Sequence, residues 1–348
     1  MRLRNKYYFT AVAVCSVLLC ACSLGEKKEK PEETKEVQET KAPEEQIESI
    51  DLKIGFSTDE NDPRVSSTLT FKEEVEEKTD GRITVTLCPN GELGSDAELI
   101  KGVILGTVDM TVSSAGNFAN YADKVGVSAF PFLFSDFEEA WEFMDGGLEA
   151  ELDAGLEEYN IKVLAHYDNG FRCVTTSKKV GPIESVKDMK DLNIRTPENQ
   201  VVMETMAQLG ASPHILDFTE LYSALKSGEF DAQENPIPII YNHKFYKVQS
   251  YLAVTNHSYD AMPFVIRKDI WDRLSEADQK ILTDAAKKAQ EVNRQAIKQQ
   301  TEEYVQKLEE KGMEVTYPDL TEFKEATQEV YDYFASSYGE ELMDQLRE

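Results

Sequence analysis

Two arginines stand at the ends of short apolar runs, where a strand-forming backbone would hold them in place. Arg195 ends the run Leu192-Asn193-Ile194, and Arg172 opens a run over residues 171–176. A guanidinium is always charged and presents two parallel N–H donors that match the two oxygens of a carboxylate. The pattern therefore supports two hypotheses: a binding site for an anionic molecule, or ion pairs with the many acidic side chains of this chain.

Sequence patterns for catalysis and for metal binding are not found. The Gly-x-Ser-x-Gly nucleophile elbow, a phosphate-binding glycine loop and the His-Glu-x-x-His metal motif do not occur. The four histidines lack metal-ligand spacing: His166, His214, His243 and His257. With 65 acidic residues, some pair of carboxylates could always be chosen, and spacing selects none of them. We therefore expect no enzyme activity, no metal and no cofactor.

The residues around the two arginines form an ordered series of motifs. In chain order they are Asp168-Asn-Gly-Phe-Arg172, Val186-Lys-Asp-Met-Lys-Asp-Leu-Asn-Ile-Arg195-Thr-Pro, Leu209-Gly-Ala-Ser-Pro213, Phe218-Thr-Glu-Leu-Tyr-Ser-Ala-Leu225, Gly228-Glu-Phe-Asp-Ala-Gln-Glu-Asn-Pro236, Lys244-Phe-Tyr-Lys-Val-Gln249 and Thr255-Asn-His257. This series resembles the solute receptors of TRAP (tripartite ATP-independent periplasmic) transporters, the DctP family. A weaker resemblance extends over residues 51–345. It implies an α/β, two-lobed periplasmic-binding-protein-like fold with mixed sheets, flanking helices, a spine helix crossing both lobes and a cleft between them.

The resemblance also implies roles for individual residues. Arg195 would bind a ligand carboxylate with two hydrogen bonds, Asn235 would donate to the same carboxylate, and Arg172 would hold a second oxygen. Phe218 would line the pocket, and His257 matches a polar pocket position. The alternatives are an interlobe ion pair for Arg172 and plain core positions for Phe218 and His257.

The first lobe and the residue after the arginine motif differ from the sialic-acid-binding members. Those members present Asn, Asp and Glu where this chain has Ser57, Asp96 and Ser114, and they have Asn where this chain has Glu198. These differences argue against sialic acid. If Glu198 faces the cleft, the polar lining favours a hydroxylated monoacid, such as a uronate or aldonate, over a dicarboxylate. The alternative places Glu198 outward, as the first-turn acid of the following helix.

The N-terminal segment carries export signals. Residues 1–21 are predicted to be a signal peptide, because a basic start precedes an apolar run too short to span a membrane as a helix. Leu19-Cys20-Ala21-Cys22 resembles a lipobox, with Cys22 as the lipidated residue. A membrane anchor that stays attached is the alternative. Residues 22–50 are charged and interrupted by proline, so we expect a disordered tether.

Charge and cysteine content restrict the partners further. The net charge of −28 argues against nucleic acid and anionic lipid surfaces. Contact with a membrane is therefore expected only through the N-terminal lipid. Cys88 and Cys173 lie in β-like runs, where single cysteines are usually buried thiols, and a disulfide between them is the alternative.

The order of elements predicts two lobes. Strand and helix patterns alternate over residues 52–112, which indicates a largely parallel sheet covered by helices. A long helix is predicted over residues 275–311 and a final helix over residues 320–346. We assign residues 51–171 and 260–300 to lobe I, and residues 172–259 and 301–348 to lobe II.

Taken with the resemblance, these patterns predict an extracytoplasmic solute receptor held by lipid on the outer face of the cytoplasmic membrane. It would act as a monomer, bind a small organic acid and deliver it to the membrane permease of a TRAP-type transporter. The acid would be a sugar acid, such as a uronate or aldonate, or a C4-dicarboxylate. A receptor of an ATP-driven transporter is the alternative within the same fold. A secreted hydrolase and a surface adhesin are the alternatives from other functional classes.

Overall fold

The structure of the protein is a computed structural model that describes residues 49–347. The predicted signal peptide, Cys22 and nearly all of the predicted tether lie outside these residues. Within the described range, no helix combines the length and the apolar character needed to cross a membrane. The strands are β1 (Ile50–Gly55), β2 (Ile83–Cys88), β3 (Met110–Val112), β4 (Ile161–Thr176), β5 (Asn193–Thr196), β6 (Ser212–Ile215), β7 (Ala232–Pro236), β8 (Tyr251–Arg267) and β9 (Glu314–Thr316).

Helices connect and cover these strands. The α-helices are α1 (Pro63–Lys78), α2 (Asp96–Leu105), α3 (Ala115–Phe118), α4 (Phe137–Met144), α5 (Gly147–Asp153), α6 (Gln200–Gln208), α7 (Phe218–Ser227), α8 (Ile237–Asn242), α9 (Lys268–Trp271), α10 (Glu276–Glu310), α11 (Leu320–Ala326), α12 (Gln328–Tyr338) and α13 (Glu340–Arg347). Short 3-10 helices cover Asp123–Ala129, Ala154–Tyr159, Val186–Met189 and Phe245–Lys247.

Two long strands, β4 and β8, run antiparallel through the whole molecule, from the pair Ile161–Arg267 to the pair Thr176–Tyr251. Toward one end, β8 pairs with β3, and β1 and β2 follow in parallel; we call this half the first lobe. Toward the other end, β4 pairs with β7, β5 and β6 follow, and β9 joins β8; this half is the second lobe. The predicted two-lobed α/β fold with a mixed sheet is confirmed.

Helix α10 connects the cores of the two lobes. Ser275 caps its first turn by accepting a hydrogen bond from the Asp278 backbone. Near its start, Leu282 and Ala286 pack in the core of the first lobe, whereas Leu308 near its end packs in the core of the second lobe. The predicted spine helix is therefore present.

Several predicted elements have different limits. The boundary between lobes predicted at residues 171 and 172 falls inside one continuous strand, β4. The single helix predicted over residues 320–346 is wrong, because the chain forms α11, α12 and α13 there. Gly339 has a φ of 91°, which is unfavourable for other residues and ends α12.

Two local features follow the sequence. Ser95 and Glu98 form a capping box at the start of α2, with the Ser95 backbone N–H donating to Glu98 Oε2 at 2.9 Å. This cap sets Asp96 at the first position of the helix. Cys88 and Cys173 are both buried free thiols, so the alternative disulfide is wrong.

Candidate functional site

A cavity of about 530 Å³, partly open to solvent, lies where the two lobes face each other. Both lobes contribute side chains, and so do β4 and β8, the two long strands that run through both lobes. The lining consists of Arg64, Asp96, Ala97, Ser114, Asn117, Asn169, Arg172, Arg195, Pro197, Glu198, Leu216, Asp217, Phe218, Asn235 and Asp260. The structure thus brings together seven of the nine predicted ligand-binding residues, and Ser57 and His257 lie outside the lining.

Arg195 is held by β5, a strand paired on both sides, and only 2% of the residue is exposed. Its Nε and Nη2 donate to the carbonyl oxygen of Leu216 at 2.8 and 2.5 Å. Among residues 49–347, no carboxylate forms an ion pair with this guanidinium. Burial lowers the pKa of Arg195 to about 10 although the Glu234 carboxylate raises it, so the group stays charged at neutral pH. A buried cation without a directly paired carboxylate is costly, and a bound anion would offset that cost.

Arg172 lies in β4 and has a different environment. It forms ion pairs with Glu234 and, from Nη1 to Oδ2 at 2.5 Å, with Asp260. Its Nη2 also donates to the backbone oxygen of Glu234 at 2.8 Å. Burial alone would lower the pKa of Arg172, but the two carboxylates outweigh it and raise the pKa. Arg172 therefore lines the cavity, but its charge is already neutralised by Glu234 on β7 and Asp260 on β8.

His257 is fully buried behind the cavity wall. Its Nδ1 lies 2.8 Å from Thr255 Oγ1, and its Nε2 lies 3.4 Å from Glu234 Oε2. The imidazole thus contacts the partner of Arg172 and does not reach the cavity. Direct contact between His257 and a ligand, one of the two roles weighed from the sequence, does not fit this placement.

Asn235 and Phe218 both line the cavity. The Asn235 amide oxygen accepts from Arg172 Nη2 at 3.3 Å, and its nitrogen donates to Gln233 at 2.5 Å, which leaves one N–H. Phe218 is the first residue of α7, and its ring packs edge-on against His243 with a centroid distance of 4.8 Å. Phe218 therefore packs against the core of the second lobe and also forms part of the cavity wall.

The first-lobe wall is formed around Asp96. This carboxylate accepts hydrogen bonds from Ser57 Oγ at 2.9 Å and from Ser113 Oγ at 2.8 Å. Ser57 therefore supports Asp96 without lining the cavity itself. Ser114 does line it, and its hydroxyl donates to Asp260 Oδ1 at 2.5 Å.

Glu198 lies exposed at the edge of the cavity. Helix α6 begins only at Gln200, with Asn199 as its N-cap accepting from Val202 N at 3.1 Å. The alternative is therefore wrong in placing Glu198 in the first helical turn, although Glu198 is exposed as that alternative expected. Asn199 is a favourable capping residue, and it shifts the helix start past Glu198.

Sequence patterns did not indicate five polar residues of the lining: Arg64, Asn117, Asn169, Asp217 and Asp260. Asp62-Pro63 before Arg64 is a helix-start signal, but helical spacing did not indicate that an arginine in this turn would be buried. Three guanidinium groups and four carboxylates therefore face the same cavity. The guanidinium groups belong to Arg64, Arg172 and Arg195, and the carboxylates to Asp96, Glu198, Asp217 and Asp260.

The fold and the charged cleft define a two-lobed solute receptor. Residues 54–337 match the family model of bacterial extracellular solute-binding proteins, family 7, or DctP. The chain belongs to this family, and its function is that of an extracytoplasmic solute receptor of the TRAP type. The resemblance predicted from the motifs is confirmed.

Individual relatives agree with this assignment. The 2,3-diketo-L-gulonate-binding periplasmic protein YiaO of Escherichia coli is 33% identical over 264 residues, which cover 76% of this chain and 80% of YiaO. A TRAP periplasmic solute binding protein from a Polaromonas species, bound to D-erythronate, superposes with a TM-score of 0.83 at 34% identity, covering 86% of this chain and 98% of the other. The sugar acid binding protein DctPAm from Advenella mimigardefordensis, in complex with galactonate, gives 0.81 at 30% identity, covering 86% and 97%. These relatives are all named as solute-binding or sugar-acid-binding proteins.

Proposed function

We propose that this chain binds a hydroxylated monocarboxylic acid in the interlobe cavity and delivers it to the membrane permease of a TRAP-type transporter. The observation that carries the proposal is the buried Arg195 guanidinium, which has no carboxylate partner among the described residues and faces the cavity. A ligand carboxylate would supply the missing counter-charge through two parallel hydrogen bonds. The remaining N–H of Asn235 and an N–H of Arg172 would bind the same end of the ligand, which is supported by the presence of both residues in the cavity lining.

The carboxylates of the lining indicate what the rest of the ligand carries. Asp96, Asp217 and Asp260 line the cavity, with Glu198 at its edge. Each can accept a hydrogen bond from a hydroxyl group, whereas each would repel a second ligand carboxylate. We therefore favour a sugar acid, a uronate or an aldonate, over a C4-dicarboxylate. The ligands named for the relatives, 2,3-diketo-L-gulonate, D-erythronate and galactonate, support this choice.

Ligand capture would involve closure of the two lobes. Contacts to Asp96 and Ser114 come from the first lobe, while contacts to Arg195 and Asn235 come from the second. Only a conformation that brings both lobes together satisfies both sets, so ligand would shift an equilibrium between open and closed forms. We propose that the protein does this as a monomer.

A thermal-shift screen tests the choice of ligand. We expect uronates and aldonates to raise the melting temperature, because a ligand at 100 times its Kd stabilises the folded state by about 2.7 kcal/mol. Succinate and malate should give little shift, and the neutral parent sugars, which lack the carboxylate, serve as controls. Stabilisation by dicarboxylates alone would contradict the sugar-acid assignment. Stabilisation by none of the acids would contradict the carboxylate clamp.

We further propose that the protein is anchored by lipid on Cys22, ahead of a tether over residues 22–50. The proposal rests on the lipobox-like Leu19-Cys20-Ala21-Cys22. In Cys22→Ser the thiol that accepts the lipid is gone, so we expect the protein to move from the detergent phase to the aqueous phase on partitioning. Cys20→Ser is the matched control and should stay in the detergent phase. Lipid labelling that persists in Cys22→Ser would rule out this anchor.

A further inference from the structure

A third guanidinium in the cavity wall, that of Arg64, has no role in the carboxylate clamp. Arg64 lies in the first turn of α1 and is only 5% exposed. Its Nε donates to Asp62 Oδ1 at 3.1 Å, and its Nη2 donates to Asn169 Oδ1 at 3.2 Å. Its Nη1 donates to no residue within 49–347. Since a guanidinium has five N–H groups, most of its donors remain for a molecule in the cavity.

The Arg64 side chain is held in one orientation by its neighbours. Asp62 is itself 1% exposed and caps α1, with Oδ1 also accepting from the Arg64 backbone N–H at 2.9 Å. The other oxygen of Asp62 lies 3.6 Å from His243 Nε2, which belongs to the second lobe. Burial would raise the pKa of Asp62, but Arg64 and His243 lower it to about 2, so the carboxylate that orients Arg64 remains charged. A ligand would therefore meet preorganised donors.

Hydrogen bonds connect Arg64 to the clamp. Asn169 Nδ2 donates to Asp260 Oδ2 at 2.8 Å, and Arg172 Nη1 donates to the same oxygen at 2.5 Å. These hydrogen bonds form a row that leads from the first lobe toward the second along β4 and β8, in the order Arg64, Asn169, Asp260 and Arg172. Arg195 lies beyond it, on β5, which is separated from β4 by β7. Arg64 stands at the end of the row remote from the clamp.

We infer that Arg64 determines specificity by binding the hydroxyl groups at the end of the ligand remote from its carboxylate. The inference rests on the proposed function and deepens it. A hydroxyl group can accept a hydrogen bond from Arg64 and donate one to Asp260 at the same time. A second carboxylate would find Arg64 already paired with Asp62 and would face the negative charge of Asp260. The pair of Arg64 and Asp260 therefore selects a polyhydroxylated chain of sufficient length.

Calorimetry with D-glycerate, D-erythronate and D-galactonate, aldonates of increasing length, tests this inference. We expect affinity to rise with chain length in the wild type. Arg64→Ala should weaken binding of D-galactonate roughly tenfold to a hundredfold, the value of one or two hydrogen bonds to a charged group. D-Glycerate, which is too short to reach Arg64, should bind within about twofold of the wild type. Arg64→Lys keeps the charge beside Asp62 and should lose less than Arg64→Ala.

The control is Arg82→Ala, because Arg82 pairs with Asp278 away from the cavity lining. Equal weakening of all three aldonates in Arg64→Ala, or no weakening, would overturn the role of Arg64. If Arg64→Ala does not fold, the same comparison with Arg64→Lys decides the question, because the lysine lacks the fork of donors. Failure of the wild type to bind any aldonate would instead overturn the proposed function.

Discussion

Replacing Arg195 by alanine is expected to abolish measurable binding of the acid ligand. Leaving the partner of a buried charge pair uncompensated costs about 2–5 kcal/mol, roughly 30- to 5000-fold in affinity. Arg195→Lys should also bind poorly, because a single ammonium cannot reproduce two parallel hydrogen bonds to one carboxylate. Calorimetry with an acid that stabilises the wild type measures both losses.

The stability of the ligand-free Arg195 variant provides the control. Arg195 is buried without a carboxylate partner among the described residues, so its removal relieves an unfavourable burial of charge. We therefore expect ligand-free Arg195→Ala to melt no lower than the wild type. A folded Arg195→Ala protein that binds with wild-type affinity would rule out the clamp.

Arg172→Ala should have a large effect of a different kind. This truncation leaves Glu234 and Asp260 buried without their cation, and breaking a buried ion pair in this way costs about 3–5 kcal/mol of folding stability. We expect the loss to appear in denaturant unfolding of the ligand-free protein. The effect of Arg172 on binding should be smaller than that of Arg195, because most of its donors are already used within the protein.

A second substitution checks the cause of this loss. Glu234→Gln removes one of the two uncompensated charges with little change in shape, so Arg172→Ala combined with Glu234→Gln should be more stable than Arg172→Ala alone. Wild-type stability in Arg172→Ala would show that the ion pairs contribute little. Arg195 and Arg172 are thus expected to have different main effects: Arg195 on ligand affinity and Arg172 on folding stability.

Much of the site was predictable because the residues next to Arg172 and Arg195 in the sequence indicate that both arginines are buried. Arg172 and Arg195 adjoin apolar strand residues, and their neighbours match an ordered series of family motifs. The sequence does not show which polar residues face the cavity and which stand behind it. His257 is turned from the cavity toward Thr255 and Glu234. Arg64 was missed because its burial depends on Asn169, which is 105 residues away.

The continuity of β4 could also not be predicted from local sequence patterns. Asp168 and Asn169 are polar residues in the middle of β4, where local sequence does not indicate that a strand continues. In the structure, Trp141 Nε1 donates to Asp168 Oδ2 at 2.6 Å, and Asp168 N donates to the Asn293 side chain of α10, also at 2.6 Å. Burial raises the pKa of Asp168 to about 6, although hydrogen bonds from Tyr259 and Trp141 lower it. Distant elements therefore satisfy polar groups that would otherwise end the strand.

The crossing strands also determine how the molecule can deform. Strands β4 and β8 form hydrogen bonds with strands of both lobes. A fragment that contains only one lobe would therefore lose half of each of these two strands, and we expect it not to fold independently. The register of the ladder shifts between Asp168 and Gly170 and again between Arg172 and Val174, and such bulges are where a strand bends. We therefore expect the cleft to open by bending of the continuous β4–β8 ribbon at these bulges. Because Arg172 lies at this segment, we expect ligand release to coincide with distortion of the cavity wall.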